Sequence, residues 1–186
     1  GVKGIEDGLY HFSIAHHGLS LIRKGDLSPW IVKALQPMGA KMPLLTVFFS
    51  AIFFRSAWKY RDRSYRYHLL DTGHVLENLT LTFKAMSLPY VTSYDFDDNE
   101  VNRLLGLDDF KEVSLALAQI QGNHPLQGKA DEGIDEIPDP IKAASRVADK
   151  ETDYPAIREI HTAGVKKTSP SEPAAQMIHE LGVIPD

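Results

Sequence analysis

Lys59 and Tyr60 stand side by side behind Trp58, at the foot of the most apolar run in the chain. A lysine and a tyrosine on a strand-to-helix turn can form a proton-moving pair, because burial lowers a lysine pKa and a neighbouring cation favours tyrosinate. The same two residues also suit a snorkelling surface lysine beside a packed tyrosine, and composition alone favours that arrangement. A second group is a polar stripe. Tyr67, Asp71, His74, Asn78 and Thr82 recur at steps of four, three, four and four, which places them on one face of a helix. Such a stripe must meet a partner helix, a bound polar ligand or water, and Asp71, His74 and Asn78 are more often a satisfied network than a catalytic one.

Other candidate chemistries fit less well. Leu69-Leu-Asp71-Thr-Gly73, followed by Leu104-Leu-Gly106, mimics two pieces of an aspartic protease half. That chemistry needs the Asp on a tight loop where two carboxylates share a proton, and here Asp71 lies in a strong helical pattern. His16-His17 and the pair His68 and His74 lack metal-site spacing, so no metal site is expected. The acidic run Asp95 to Glu100 has no alternating ligand positions and no mid-loop glycine; it suits the first turn of a helix. With no cysteine, thiolate catalysis, disulfides and cysteine-type zinc sites are excluded.

The elements that must position these residues follow from periodicity. Tyr67 to Met86 has no proline and is apolar on nearly every face, which predicts a long buried helix. Leu44 to Phe54, nearly continuous Leu, Val, Phe and Ile, predicts a central strand covered on both faces. Arg55 to Arg66 predicts a short helix and a turn. Gly8 to Ile14 and the residues from Leu19 onward predict a hairpin. Asp26 caps a helix over Leu27 to Leu35, and Asp97 opens another that stops at Gly106. Pro89 to Tyr94 and Val113 to Ile120 predict two further strands.

Residues 1–122 therefore form one domain, and residues 123–186, where prolines sit among charged residues and glycines, form an extended arm. Two short helices are predicted in it, Pro155 to Thr162 and Glu172 to Leu181. Each has a narrow apolar strip and needs another surface to lie on. A formal net charge of -5 disfavours a nucleic-acid backbone or an anionic membrane as partner. The run Met42 to Phe54 is too short to span a bilayer, and residues 1–20 lack the order of a signal peptide, so a cytoplasmic setting is expected.

As an ordered set, several segments resemble the nitroreductase superfamily, specifically its SagB-type dehydrogenase branch. They are Gly8-Leu-Tyr10 with the hairpin after it, Ala57-Trp-Lys-Tyr60 with Tyr65-Arg-Tyr67, Leu70-Asp-Thr-Gly-His74 with Asn78-Leu79, and Phe96 to Leu107. The resemblance implies an α+β fold, a nitroreductase-like mixed sheet flanked by helices around a long buried central helix. It also implies an FMN-dependent oxidoreductase that moves hydride between an unknown small-molecule or peptide substrate and the flavin. Lys59 and Tyr60 would be the catalytic proton-transfer pair, with Tyr94, Asp95 and Arg66 at the cofactor. The flavin would lie at the interface of a homo- or hetero-dimer with a nitroreductase-like chain. Two departures favour an alternative, a degenerate, flavin-free structural subunit. Tyr94-Asp95 stands where the family places glycine against the flavin ring, and the sequence starts after the position at which the resemblance expects the basic N-terminal segment that grips the phosphate. Asp153-Tyr-Pro-Ala-Ile157 resembles a linker of tandem members, which implies a fragment or split subunit.

Overall fold

In a computed structural model, residues 2–35, 41–125, 134–139, 141 and 147–165 are described. The hairpin consists of β1 (Gly8–Ser13) and β2 (Gly18–Lys24), paired antiparallel. Helix α1 (Ser28–Leu35) begins where the Ser28 N–H donates to Asp26 Oδ1 at 2.9 Å. Strand β3 (Lys41–Ile52) leads into α2 (Phe54–Tyr60), a 3-10 turn over Arg61–Arg63, and α3 (Ser64–Ala85). Then come β4 (Tyr90–Ser93), α4 (Asp98–Leu105), β5 (Glu112–Pro125) and α5 (Pro155–Gly164).

The architecture is the expected α+β class. The main sheet has the order β3-β5-β4, and both of its pairings are antiparallel, so among the described strands it is not mixed. β5 is the central strand and β3 an edge. The apolar run of β3 is thus covered on both faces only around Phe48 and Phe49: Leu44 and Leu45 are exposed, while Val113, Ala116, Leu117, Ala118 and Ile120 of β5 are buried. β5 also runs past Gly122.

Helices cover both faces. Leu117 and Phe48 pack with α1 and α4 through Ala34, Leu35 and Val101. Ala118, Ile120 and Phe49 pack with α3 through Leu76, Leu79 and Phe83. A slip in register between Phe49/Ala116 and Ser50/Ser114 leaves Leu115 unopposed. A one-residue slip turns a strand over. Val113 below the slip therefore joins Ala118 and Ile120 above it on the α3 side, while Ser114 faces α4 and takes the Asn102 Oδ1 on its N–H at 3.0 Å.

The long helix is buried along one face and not all round. Ser64, His68, Thr80 and Phe83 are buried, whereas Leu69, Leu70, Val75 and Leu81 are exposed. The apolar coat of α3 is wider than the sheet under it. The caps of α4 form as expected: Asp97 Oδ1 accepts from the Glu100 N–H at 3.1 Å, and Gly106, at φ 71°, lets the Leu107 N–H reach Asn102 O at 2.9 Å. A Cβ at Gly106 would also overlap the buried Ile137 side chain. The predicted arm helix forms as α5, with Ile157 buried against Phe53, Ala57 and Val113. The second arm helix, Glu172 to Leu181, lies outside the described residues. No described helix is long and apolar enough to cross a membrane.

Candidate functional site

The Lys59–Tyr60 corner is built from below by Phe53 and Ala57. Phe53, at the end of β3, is buried with its N–H donated to Lys111 O at 2.8 Å, and Ala57 one turn on is fully buried. Burying that face turns the opposite face of α2 to solvent. Trp58 is 63% exposed, its indole N–H donating to Arg55 O at 3.0 Å, and Lys59 and Tyr60 are exposed beside it. Lys59 Nζ lies 5.2 Å from the Tyr60 ring centroid, which in turn lies 4.7 Å from that of Tyr67 on α3. The chain then turns at Arg61, a non-glycine residue at φ 52°, of the strained kind that persists where its surroundings hold it.

Of the residues the sequence singles out, the structure brings Lys59 and Tyr60 together and leaves Arg66, Tyr94 and Asp95 on separate segments. Arg66 is exposed in the first turn of α3. Tyr94, just beyond β4, is 85% exposed. The Asp95 N–H donates to Ser93 Oγ at 2.8 Å, and Ser93 returns its own O–H to Asp95 O at 3.2 Å. Neither Tyr94 nor Asp95 has positive φ. Because β3 and β4 are both antiparallel to β5, they run parallel to each other, so α2 and the Tyr94-Asp95 turn leave the sheet in the same direction.

The polar stripe faces outward: Asp71, His74, Asn78 and Thr82 are exposed. His74 Nδ1 bonds to Leu70 O at 2.8 Å and the Thr82 hydroxyl donates to Asn78 O at 2.9 Å, so part of the stripe is satisfied within its own helix. Asp71 in mid-helix lacks the interstrand loop that aspartic-protease chemistry requires. Among the described residues no cluster of metal-ligating side chains occurs.

Sequence reasoning missed an aromatic knot beneath the corner. The rings of Tyr65, His68 and His161 surround Phe53 with centroids 6.1–6.3 Å away, and Tyr65 Oη lies 3.1 Å from His161 Nδ1. Burial lowers the pKa of both histidines, offset only in part by the hydrogen bond to Phe53 O and by nearby Asp71 at His68, and by Asp98 and Asp109 at His161. Burial, with Asp98 nearby, raises that of Tyr65. A neutral imidazole and a neutral phenol each carry one proton donor and one acceptor, so the pair can satisfy each other in either tautomer of His161. Tyr65 and His161 are 96 residues apart, so no local pattern announces the contact.

A separate cleft of about 740 Å³ opens at the C-terminal end of α4, lined in part by Arg23, Arg103, Asp109 and Lys111. Arg23 crosses its wall: Nε donates to Leu104 O at 3.0 Å and Nη1 to Asp135 O, placing a cation at the negative end of the helix. The cleft is lined by neither Lys59, Tyr60 nor Tyr94.

The trifolitoxin-processing protein TfxB of Rhizobium leguminosarum bv. trifolii is 31% identical over 123 residues, covering 62% of this chain and 32% of that protein. A Methanocaldococcus jannaschii protein named for the nitroreductases is 26% identical over 110 residues, covering 59% and 56%. The chain thus spans between a third and a little over half of these curated relatives. In fold it is similar to a crystal structure of a protein from Anabaena variabilis, also named for the nitroreductases, with a TM-score of 0.67 and 22% identity over 92% of this chain and 35% of that one. It is also similar to a chain of the Escherichia coli microcin synthetase McbBCD complex with truncated pro-MccB17 bound, with a TM-score of 0.52 and 20% identity over 66% and 44%. The sequence model of the Nitroreductase family matches residues 20–119, from the second hairpin strand to the middle of β5, and the chain belongs to that family.

Proposed function

We propose that this chain is part of an FMN-dependent oxidoreductase of the SagB type, with Lys59 and Tyr60 as its proton-transfer pair. The observation that carries this reading is the Lys59–Tyr60–Tyr67 stack: an ammonium and a phenol in contact on an exposed corner, inside the span that matches the family. An ammonium over a phenol ring is suited to steady charge as a proton leaves or returns. Arg66 offers a cation for a phosphate, and Tyr94 an exposed ring for a flat ligand. In this reading these residues, on separate segments of the chain, would each contribute to one wall of a shared flavin site. When bound, FMN would supply the hydride chemistry, and the chain's own part would be to orient the reactants and move protons at Lys59 Nζ and Tyr60 Oη.

The partner in this reading is a second nitroreductase-like chain, identical or not. Apolar side chains exposed on α3, Leu70 and Leu81 on one side of the outward polar stripe and Val75 on the other, would meet it together with that stripe, and covering the corner would exclude water from it. The similarity to a toxin-processing protein and to a chain of a synthetase complex points to a peptide substrate and a multi-chain assembly. One observation favours the second reading, a flavin-free structural subunit in the same assembly. The amide of Asp95, in the Tyr94-Asp95 pair that stands where the family places glycine against the flavin ring, is donated to Ser93 Oγ.

The visible absorption spectrum of the protein, purified with whatever chains accompany it, separates the two. Stoichiometric flavin that bleaches on reduction, and whose turnover falls in Lys59→Met and Tyr60→Phe, supports the oxidoreductase. A colourless assembly that gains no flavin when FMN is added supports the structural subunit.

A further inference from the structure

We infer that the arm helix α5, which lies beyond the span matching the family, positions the Lys59–Tyr60 corner, acting through Ile157 and His161. The side chain of Ile157 is 1% exposed and packs against Phe53, Ala57 and Val113. Phe53 immediately precedes α2, and Ala57 lies two residues before Lys59, so Ile157 presses on the inner face of the helix whose outer face carries the pair. Four residues along the same face of α5, His161 meets the Tyr65 hydroxyl and packs its ring 6.1 Å from Phe53 and 6.0 Å from Tyr65. The same helix touches the Arg61–Arg63 turn that follows Tyr60.

Neither helix is stable alone. α2 has seven residues, no side-chain N-cap and no acidic residue in its first turn; α5 has ten residues and no side-chain N-cap hydrogen bond. Helices of that length are marginal in water and take their stability from packing. Here each supplies the other's apolar floor. Tyr154 adds to the same cluster, and Arg158, paired with Asp153 at 2.6 Å and lying over Phe110 at 5.1 Å, ties the outer face of α5 to the loop before β5. The strap therefore fixes where the last turn of α2 points. The catalytic consequence rests on the role proposed above for Lys59 and Tyr60; the mechanical one does not.

Hydrogen exchange read by mass spectrometry on the full chain tests this. In Ile157→Ala the amides of residues 54–63 should exchange about tenfold faster or more, while those of β4 and of Leu117 to Ile120 keep their protection. His161→Phe should accelerate the same segment less, and Ile157→Val should restore most of the protection. If Ile157→Ala does not fold, Ile157→Val and His161→Phe serve, with smaller accelerations confined to residues 54–63. Acceleration confined to α5, or spread evenly over the chain, would overturn the inference. Failure of the unsubstituted protein to turn over with flavin would remove the oxidoreductase reading and leave this exchange pattern standing.

Discussion

The ring of Tyr60 meets that of Tyr67 at 60°, with centroids 4.7 Å apart, so a residue at the end of α2 is held by one in the first turn of α3. An edge-on aromatic pair contributes about 0.5–1.5 kcal/mol beyond the area it buries. Tyr67→Ala should lower stability by that order in urea unfolding, and Tyr67→Phe should lose little. Equal losses in the two variants would mean that the hydroxyl, not the ring, matters.

Two glycines should respond in opposite directions. Gly106 sits at φ 71° with Ile137 where its Cβ would go, so Gly106→Ala should cost about 2–4 kcal/mol from backbone strain and overpacking. Gly73 lies inside α3 with nothing within 4 Å of a built Cβ, so Gly73→Ala should gain about 0.5–1 kcal/mol. Thermal unfolding of the two variants checks both signs at once.

Acid should loosen the aromatic knot under the corner. Burial holds His68 and His161 below the ordinary histidine value of 6.5. Above that pH neither folded nor unfolded chain binds protons there, and the two histidines cost nothing. As the pH falls below 6.5 the unfolded chain takes up protons that the folded chain resists, so stability declines until the lower folded values are reached. Urea midpoints at pH 7.5 and 5.5 should therefore diverge in the native sequence and converge in the double variant His68→Gln, His161→Gln. An unchanged gap in the variant would assign the acid sensitivity to other groups.

Local devices were legible in the sequence, and long-range ones were not. Asp26, Asp97 and Gly106 act within a turn of their own positions, and the ends of α1 and α4 fall where those residues place them. The hairpin and β4 are likewise local. The rank of the strands was not legible. β3 is more uniformly apolar than β5, yet β5, which carries Ser114 and Gln119, is central; the Gln119 side-chain amide is satisfied there by the Thr46 hydroxyl 73 residues earlier, a contact no local pattern announces. The apolar circumference of α3 predicted complete burial, but periodicity counts greasy positions without saying what covers them. At the candidate site, the contact of Lys59 with Tyr60 follows from adjacency, whereas the support from Ile157 and His161 comes from residues about a hundred positions away.

The unopposed Leu115 carries a last implication. It works as a parity switch: the strand on one side of it is written in odd numbers and on the other side in even ones, so the two ends can share one helical roof. Anyone splicing this sheet into a relative, or trimming it, must keep that odd count, because deleting a single residue there would turn Val113 toward α4 and put the Ser114 hydroxyl among Phe53, Ala57 and Ile157. The damage would surface first under Ala57, at the root of the corner, well before the rest of the sheet registered it.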